Sequence, residues 1–200
     1  MTGIYISGHP LDDYRMEMEN FISCTLEELE EKKGQPVKVA GIVVKATHKV
    51  SQKGSGWGSF VLQDYHGSIE MNLFSDDYMK FKGFFEQGNC VFITGMYEAR
   101  WGREDEFSLK IKDVTLLENA GKNLVKSLTV KINVEDLTAD LIDKLDALCK
   151  QHKGSQQLKV TLLDFENKTS LNFLSKSRKV NVGNEFVSAV KGLGVECGVG

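Results

Sequence analysis

The chain has 200 residues, of which 41% are hydrophobic and 26% are charged, and its formal net charge is −3. This is the composition of a globular protein of one to two domains, and it excludes a disordered or fibrous chain. Because the net charge is slightly negative, any binding of nucleic acid must come from the local placement of cations. No signal peptide is visible, and no apolar run approaches the length of a membrane span.

Charge is distributed unevenly, and its distribution suggests three parts. Residues 1–35 carry a net charge of −5, residues 36–118 a net charge of −1, and residues 119–200 a net charge of +3. We interpret the first part as a partly helical connector, 36–118 as one domain and 124–200 as a tail domain. The polar stretch 119–123 is predicted to be the hinge between the two domains.

The four cysteines, Cys24, Cys90, Cys149 and Cys197, are widely scattered. None of their spacings is typical of a metal site or a redox motif, and Cys90 and Cys149 occupy positions that favour core thiols. Free thiols of this kind indicate a reducing compartment, so we expect a cytoplasmic protein without a metal or cofactor.

The connector begins with a glycine-containing segment that is not expected to form a regular element. A helix is predicted at 11–21. Thr25-Leu26-Glu27-Glu28 then has the pattern of a capping box, with Thr25 accepting from the first turn and Glu28 reaching back. A second, acidic helix is expected to run to about Lys32.

The domain at 36–118 reads as three strands, a helix and two further strands. The third strand alternates, with Ile69, Met71 and Leu73 on one face and Glu70, Asn72 and Phe74 on the other. The predicted strands are 37–44, 59–63, 68–74, 90–99 and 107–117, with the helix at 76–85. This order and size predict a five-stranded β barrel of the OB type.

Two predicted loops, 49–58 and 100–106, carry both tryptophans of the chain together with several cations. In an OB fold the loops joining strands 1–2 and 4–5, and the face of strands 2 and 3, bind oligonucleotides. Rings stack on bases and cations follow phosphates, so this combination favours weak binding of single-stranded DNA. The predicted site comprises Lys45, Lys49, Lys53, Trp57, Phe74, Arg100, Trp101 and Arg103.

Each of these residues has a plainer interpretation that the sequence leaves open. Trp57 lies between glycines and could fold over the barrel mouth, and Trp101 could form a cation–π pair with its neighbouring arginines. The lysines at 45, 49 and 53 could form an ordinary solvated rim. The adjacent acidic pairs at 12–13 and 76–77 suit helix starts better than a metal site, and no catalytic set of residues converges.

The tail is predicted to be a small α+β domain with an antiparallel sheet. Its strands are expected at 127–134, 158–163, 169–174 and 179–182, and its amphipathic helices at 138–152 and 185–193. The glycine-punctuated end of the second helix offers Leu193 and Val195 as small exposed apolar groups, which we predict to bind a protein partner.

One segment points to a family. Residues 3–11, GIYISGHPL, closely resemble the segment of the bacterial replicative DNA polymerase III alpha subunit that leads from the polymerase core into a C-terminal OB domain. FVLQD at 60–64 and GSIE at 67–70 also follow as in that family. The family's catalytic aspartates lie upstream of this segment and have no counterpart here, so the chain looks like a C-terminal fragment.

The resemblance implies a role in DNA replication. The parent protein would be a DNA-directed DNA polymerase, a transferase, and this chain a non-catalytic part of it in the replisome. Its OB domain would bind single-stranded template, and its tail would bind the clamp-loader tau subunit. Two alternatives stay open: a protein-interaction module without DNA binding, and the OB domain of a tRNA synthetase, against which GIYISGHPL and the lack of catalytic motifs count.

Overall fold

The computed structural model describes residues 8–52, 54–100 and 102–200, except for the side chains of Arg100, Arg103, Glu104, Lys122 and Asn123. Residues 1–7, which include most of GIYISGHPL, lie outside the described residues, as do two predicted site residues, Lys53 and Trp101. The chain divides into two compact units, Met1–Ala120 and Gly121–Gly200.

The connector packs against the sheet of the first unit. It contains a 3-10 helix at Pro10–Tyr14, the helix α1 (Arg15–Asn20) and a second 3-10 helix at Glu27–Lys32. The predicted capping box is confirmed, because the Thr25 hydroxyl accepts from the Glu28 amide at 3.3 Å and the Glu28 carboxylate accepts from the Thr25 amide at 2.8 Å.

Five antiparallel strands in the order β3-β2-β1-β4-β5 form the sheet of this unit. They are β1 (Gln35–Val50), β2 (Gly56–Gln63), β3 (Ser68–Phe74), β4 (Cys90–Arg100) and β5 (Arg103–Leu116), with the helix α2 (Ser75–Phe81) after β3. The strand order is that of an OB fold, as predicted, but the sheet is not closed into the predicted barrel. In the described part of the chain β3 and β5 do not pair, and a cleft lined by both strands keeps these two edges apart.

The β1–β2 and β4–β5 hairpins are longer than predicted, and their loops are correspondingly short. Pairing of β1 with β2 continues to Val50 and Gly56, and Arg100 pairs with Arg103 at the end of the β4–β5 hairpin. The predicted loop 49–58 is therefore about half strand, and the described residues of the predicted loop 100–106 are mostly strand. The ends of these hairpins contain polar residues and glycines, so a search for apolar, β-branched runs does not identify them as strand.

The core of this unit lies on the inner face of the sheet, where Phe60, Phe85 and Ile93 are completely buried. The inward side of β3 is confirmed, because Met71 and Leu73 are buried in the same cluster. Aromatic packing holds its centre together, since the rings of Phe60 and Phe85 lie 5.0 Å apart.

The predicted polar hinge is instead the helix α3 (Leu117–Leu124). Its Leu117 and Ala120 side chains are buried with Leu11 and Phe92 in a second apolar cluster. Burial of one helix face thus outweighs the low helix propensity of the asparagines and Gly121.

The second unit is a sheet of order β8-β7-β6-β9 with two helices. Its elements are β6 (Ser127–Asn133), α4 (Ala139–Gln151), β7 (Lys153–Asp164), β8 (Thr169–Val180), α5 (Asn184–Lys191) and β9 (Glu196–Val199). The predicted antiparallel sheet is wrong at one pair, because β6 and β7 are parallel. The helix α4 between them returns the chain to the end of the sheet where β6 began, which is the kind of crossover that parallel strands require.

Candidate nucleic-acid interface

Three neighbouring strands place one cation and two rings in a row across the sheet. Lys49 on β1 is paired in register with Trp57 on β2, which is paired with Phe74 on β3. Because directly paired residues point to the same side of a sheet, the three side chains share one face. Phe74 is 58% exposed, Lys49 is exposed and Trp57 is half-buried.

The members of this row contact one another. The Trp57 and Phe74 rings stack with their centroids 5.8 Å apart and their planes inclined by 21°. The Lys49 ammonium lies 5.1 Å from the centre of the Trp57 ring, a cation–π distance. The Trp57 ring is thereby held on both sides, while the exposed Phe74 ring leaves an aromatic surface open to a planar ligand.

The glycines that flank Trp57 have a packing role. A β-carbon at Gly56 would lie 2.6 Å from the Tyr78 ring, and one at Gly58 would collide with the Phe60 ring. These rings fill the inner face of β2, where side chains at 56 and 58 would have to go. Trp57 therefore points to the opposite, outer face and finds its neighbours on β1 and β3, not in its own loop.

The outer face continues with two further rows. The second row pairs Thr47, Ser59 and Asn72, and the third pairs Lys45, Val61 and Glu70. Between these two rows the Ser59 hydroxyl donates to the Glu70 carboxylate at 2.7 Å. The face is thus aromatic and cationic at one end and mixed in charge at the other.

Beside β3 the face borders the cleft that separates β3 from β4 and β5. Its volume is about 700 Å³, and its lining includes Phe74, Glu70, Tyr97 and Phe107. The Tyr97 and Phe107 rings lie 5.9 Å apart. Burial, together with the hydrogen bond that its hydroxyl donates to Glu30, raises the pKa of Tyr97 to about 12, so this phenol is neutral at physiological pH.

The structure brings four of the predicted site residues, Lys45, Lys49, Trp57 and Phe74, onto one face. All four stand on strands, so the predicted placement of Lys49 and Trp57 in a loop is wrong. Arg100 and Arg103 lie at strand ends rather than in a loop.

Sequence reasoning missed the polar members of this face. Thr47, Ser59, Glu70 and Asn72 were not identified as site residues, although alternation along β3 already placed Glu70 and Asn72 on the same side as Phe74. The missing signal was the pairing register, which sets Ser59 opposite Asn72 and diagonal to Glu70.

In the described residues, no three histidine, cysteine, aspartate or glutamate side chains converge as metal ligands do. Asp76 and Asp77 lie in the first turn of α2, as expected for acidic residues at a helix start. The four cysteines are free thiols, and burial raises the pKa of Cys90 to about 11.

The second unit has an exposed apolar surface of a different kind. Phe165, Leu171 and Phe173, around the β7–β8 hairpin, are 72%, 61% and 51% exposed. Phe165 also borders a groove of about 210 Å³ together with Val195. Leu193 and Val195, predicted to be exposed, are half-buried because the chain continues into β9.

Comparison with known proteins matches each unit separately. Residues 37–117 match the family of the OB-fold nucleic acid binding domain, and residues 128–193 match the DNA polymerase III alpha subunit, C-terminal domain. The chain is similar to the C-terminal region of DNA polymerase III alpha subunits. This confirms the resemblance inferred from the sequence, and it identifies the first sheet as an OB-fold domain.

Relatives of the same name extend the match over nearly the whole chain. DNA polymerase III subunit alpha of Pseudomonas fluorescens is 27% identical over 193 residues, which is 94% of this chain and 16% of the relative. The Pseudomonas aeruginosa protein is 28% identical over the same shares, and that of Mycobacterium tuberculosis is 24% identical over 96% of this chain. The chain spans about a sixth of these polymerase subunits.

Solved structures are similar to part of this chain. The second OB-fold domain of replication protein A from Methanococcus maripaludis is 14% identical, with a TM-score of 0.33, and covers 48% of this chain and 96% of its own. The single-strand-binding (SSB) domain of a Synechococcus protein is 11% identical, with a TM-score of 0.30, and covers 40% of this chain and 91% of its own. In the described part of the chain, no helix is long and apolar enough to cross a membrane.

Proposed function

We propose that this chain is a non-catalytic, C-terminal part of a bacterial replicative DNA polymerase alpha subunit, acting in the cytoplasm. Its OB-fold domain binds single-stranded template DNA, and its second unit binds the clamp-loader tau subunit in the replisome. The polymerase activity belongs to the parent protein; this chain spans about a sixth of the relatives that it matches.

The aligned row of Lys49, Trp57 and Phe74 carries the proposal for DNA. Binding of single-stranded DNA needs an aromatic platform next to cations that follow the backbone. The row supplies both on an exposed face, because the Phe74 ring is open and the Lys49 ammonium stands beside the stack. Lys45 lies on the same face four residues away.

The test is a titration of the whole chain with a fluorescent oligothymidylate and with a duplex of the same length, at several salt concentrations. We expect tighter binding to the single strand, and a slope of log K against log salt no steeper than about −3.5. That limit follows from about 0.7 per neutralised phosphate and the five cations that the sequence nominates. Equal binding to both forms, or binding indifferent to salt, contradicts the proposal.

The proposal for the second unit rests on its exposed apolar side chains. Protein interfaces are built around large, buried apolar anchors, and Phe165, Leu171 and Phe173 are available for that purpose. The basic residues of this unit give weaker support for DNA binding, since Arg178, for example, already pairs with Asp146 at 2.8 Å. Retention of purified tau by the immobilised chain tests this part.

A protein-interaction module without DNA binding is the second candidate. It is favoured by the net charge of −1 over residues 36–118 and by Glu70 on the proposed DNA face, which repels phosphate. The oligothymidylate titration separates the two, because a pure interaction module binds neither single strand nor duplex.

A further inference from the structure

The cleft between β3 and β5 begins where the aromatic row ends. Phe74 belongs to both, since its ring stacks on Trp57 and its side chain also lines the cleft. A single strand that stacks on this row and continues along β3 therefore brings its next bases to the mouth of the cleft. At about 700 Å³ the cleft has the size of a small-molecule site, which is ample for a nucleobase.

The charges of the cleft exclude phosphate but suit a base. Among the described residues, three carboxylates, those of Glu70, Asp77 and Glu98, line it, and the cation Lys110 in the lining is paired with Glu98 at 3.3 Å. The rings of Tyr97 and Phe107 supply apolar walls. A neutral, planar ligand rich in hydrogen-bond donors fits this lining, whereas the sugar–phosphate backbone has to stay on the side of Lys45 and Lys49.

Glu70 is a lining group that is already oriented. The Ser59 hydroxyl donates to its Oε1 at 2.7 Å across the β2–β3 pair, which restricts the carboxylate plane. An ionised carboxylate only accepts hydrogen bonds, and its two oxygens accept best from two adjacent donors. Along β3, Glu70 lies four residues before Phe74, about 13 Å away.

We propose that Glu70 and this cleft form a base-reading site that prefers guanine in single-stranded DNA. Among the four bases, guanine alone presents two adjacent donors, N1–H and the 2-amino group, on its Watson–Crick edge. Adenine and cytosine pair one donor with a ring-nitrogen acceptor, and thymine has one donor between two acceptors, so each sets at least one lone pair against the carboxylate. This inference rests on the proposed single-strand binding and adds base selectivity to it.

The experiment compares oligonucleotides of about twelve nucleotides in which every third position of a thymidine background is guanine, inosine, adenine or cytosine. Isolated guanines avoid quadruplex formation, and inosine removes only the 2-amino donor. Binding of the whole chain is measured by fluorescence anisotropy. We expect the guanine strand to bind at least about fivefold more tightly than the all-thymidine strand, which is the lower end of the discrimination that one bidentate base contact provides. The inosine strand should lose most of that gain in affinity.

Two substitutions assign the preference to Glu70. Glu70→Gln replaces one acceptor oxygen by a donor, so the guanine and all-thymidine strands should bind equally while the all-thymidine affinity is kept or rises. Ser59→Ala frees the carboxylate and should reduce the preference partly. Asp113→Asn, the same loss of charge at an exposed position of β5 away from the cleft lining, should leave the preference intact.

Failure of the inference and failure of the proposed function give different results. If the all-thymidine strand binds, but the guanine and inosine strands bind with equal affinity, only the base-reading site is overturned. A guanine preference that survives in Glu70→Gln also overturns it. The same holds if that variant loses affinity for all strands by the same factor. No binding of any strand refutes both proposals.

Discussion

Both units expose aromatic rings, but in different surroundings. In the OB-fold domain Phe74 stacks on Trp57, which has the Lys49 ammonium over its ring. In the second unit Phe165 and Phe173 stand around the tip of a hairpin with Leu171 nearby in sequence. The first arrangement suits a base and its phosphate, and the second suits an apolar side chain of a protein.

Net charge alone would have assigned these roles the other way round. Residues 119–200 carry a net charge of +3, whereas 36–118 carry −1. The register of three strands, which brings a lysine onto a stacked ring pair, is a stronger indicator of single-strand binding than the sum of charges. The following predictions test that contrast, beginning with the largest expected effect.

Phe60 and Phe74 lie on the same β2–β3 hairpin and face opposite sides of it. Phe60 is completely buried, so Phe60→Ala should lower the free energy of unfolding by about 3–5 kcal/mol. Phe74→Ala removes an exposed ring and should cost less than about 1.5 kcal/mol while weakening DNA binding. Urea denaturation of both variants measures this; equal losses of stability would show that Phe74 is part of the core.

Trp57→Ala should weaken the binding of oligothymidylate by about 1–3 kcal/mol, because the stacking platform loses its larger ring. Phe165→Ala is the matched control, since it removes an exposed ring from the second unit and should leave DNA affinity unchanged. The two variants are compared by anisotropy at one salt concentration. If the control loses as much affinity as Trp57→Ala, the two surfaces are not distinct in function.

The double substitution Phe165→Ser and Phe173→Ser should reduce retention of purified tau about tenfold or more, as expected when central apolar anchors are removed. Binding of oligothymidylate should not change. Lys159→Ser, at an exposed position of β7, is the control for a surface substitution in the same sheet. Full retention of tau by the double variant would exclude this surface as the docking site.

The smallest expected effect concerns the pH dependence of the second unit. Arg178 and Lys150 hydrogen-bond the Asp146 carboxylate and hold its pKa at about 2, below its usual value. A depressed pKa contributes stability that is fully present above about pH 4 and is lost as the pH falls towards 2. The difference in stability between the wild type and Asp146→Asn should therefore narrow over that range.

Urea midpoints of both proteins at about pH 6, 4, 3 and 2 measure this difference. Asp143→Asn, on an exposed turn of the same helix, serves as the control for the loss of one carboxylate. A difference between wild type and Asp146→Asn that stays constant from pH 6 to pH 2 would show that the ion pairs do not stabilise the fold.

Much of the architecture could be predicted because short-range signals were strong. Alternation along 68–74 gave β3 and its buried face, and the Thr25–Glu28 box gave the start of the acidic turn. The segment GIYISGHPL indicated the family. The errors occurred where local sequence is a poor guide: the outer halves of the long hairpins, the helix α3 in a polar stretch, and the parallel β6–β7 pair.

The sequence by itself determined which residues could serve a nucleic-acid site: two tryptophans, a phenylalanine and a set of cations near the turns of an OB-type domain. Only the tertiary structure decided which of them meet. Residues 49, 57 and 74 are far apart along the chain, and the register of β1, β2 and β3 makes them neighbours. The same register brings Ser59 within hydrogen-bond distance of Glu70, and in the described residues β3 stays unpaired with β5. Strand pairing is a long-range choice that depends on how the whole sheet packs over its core.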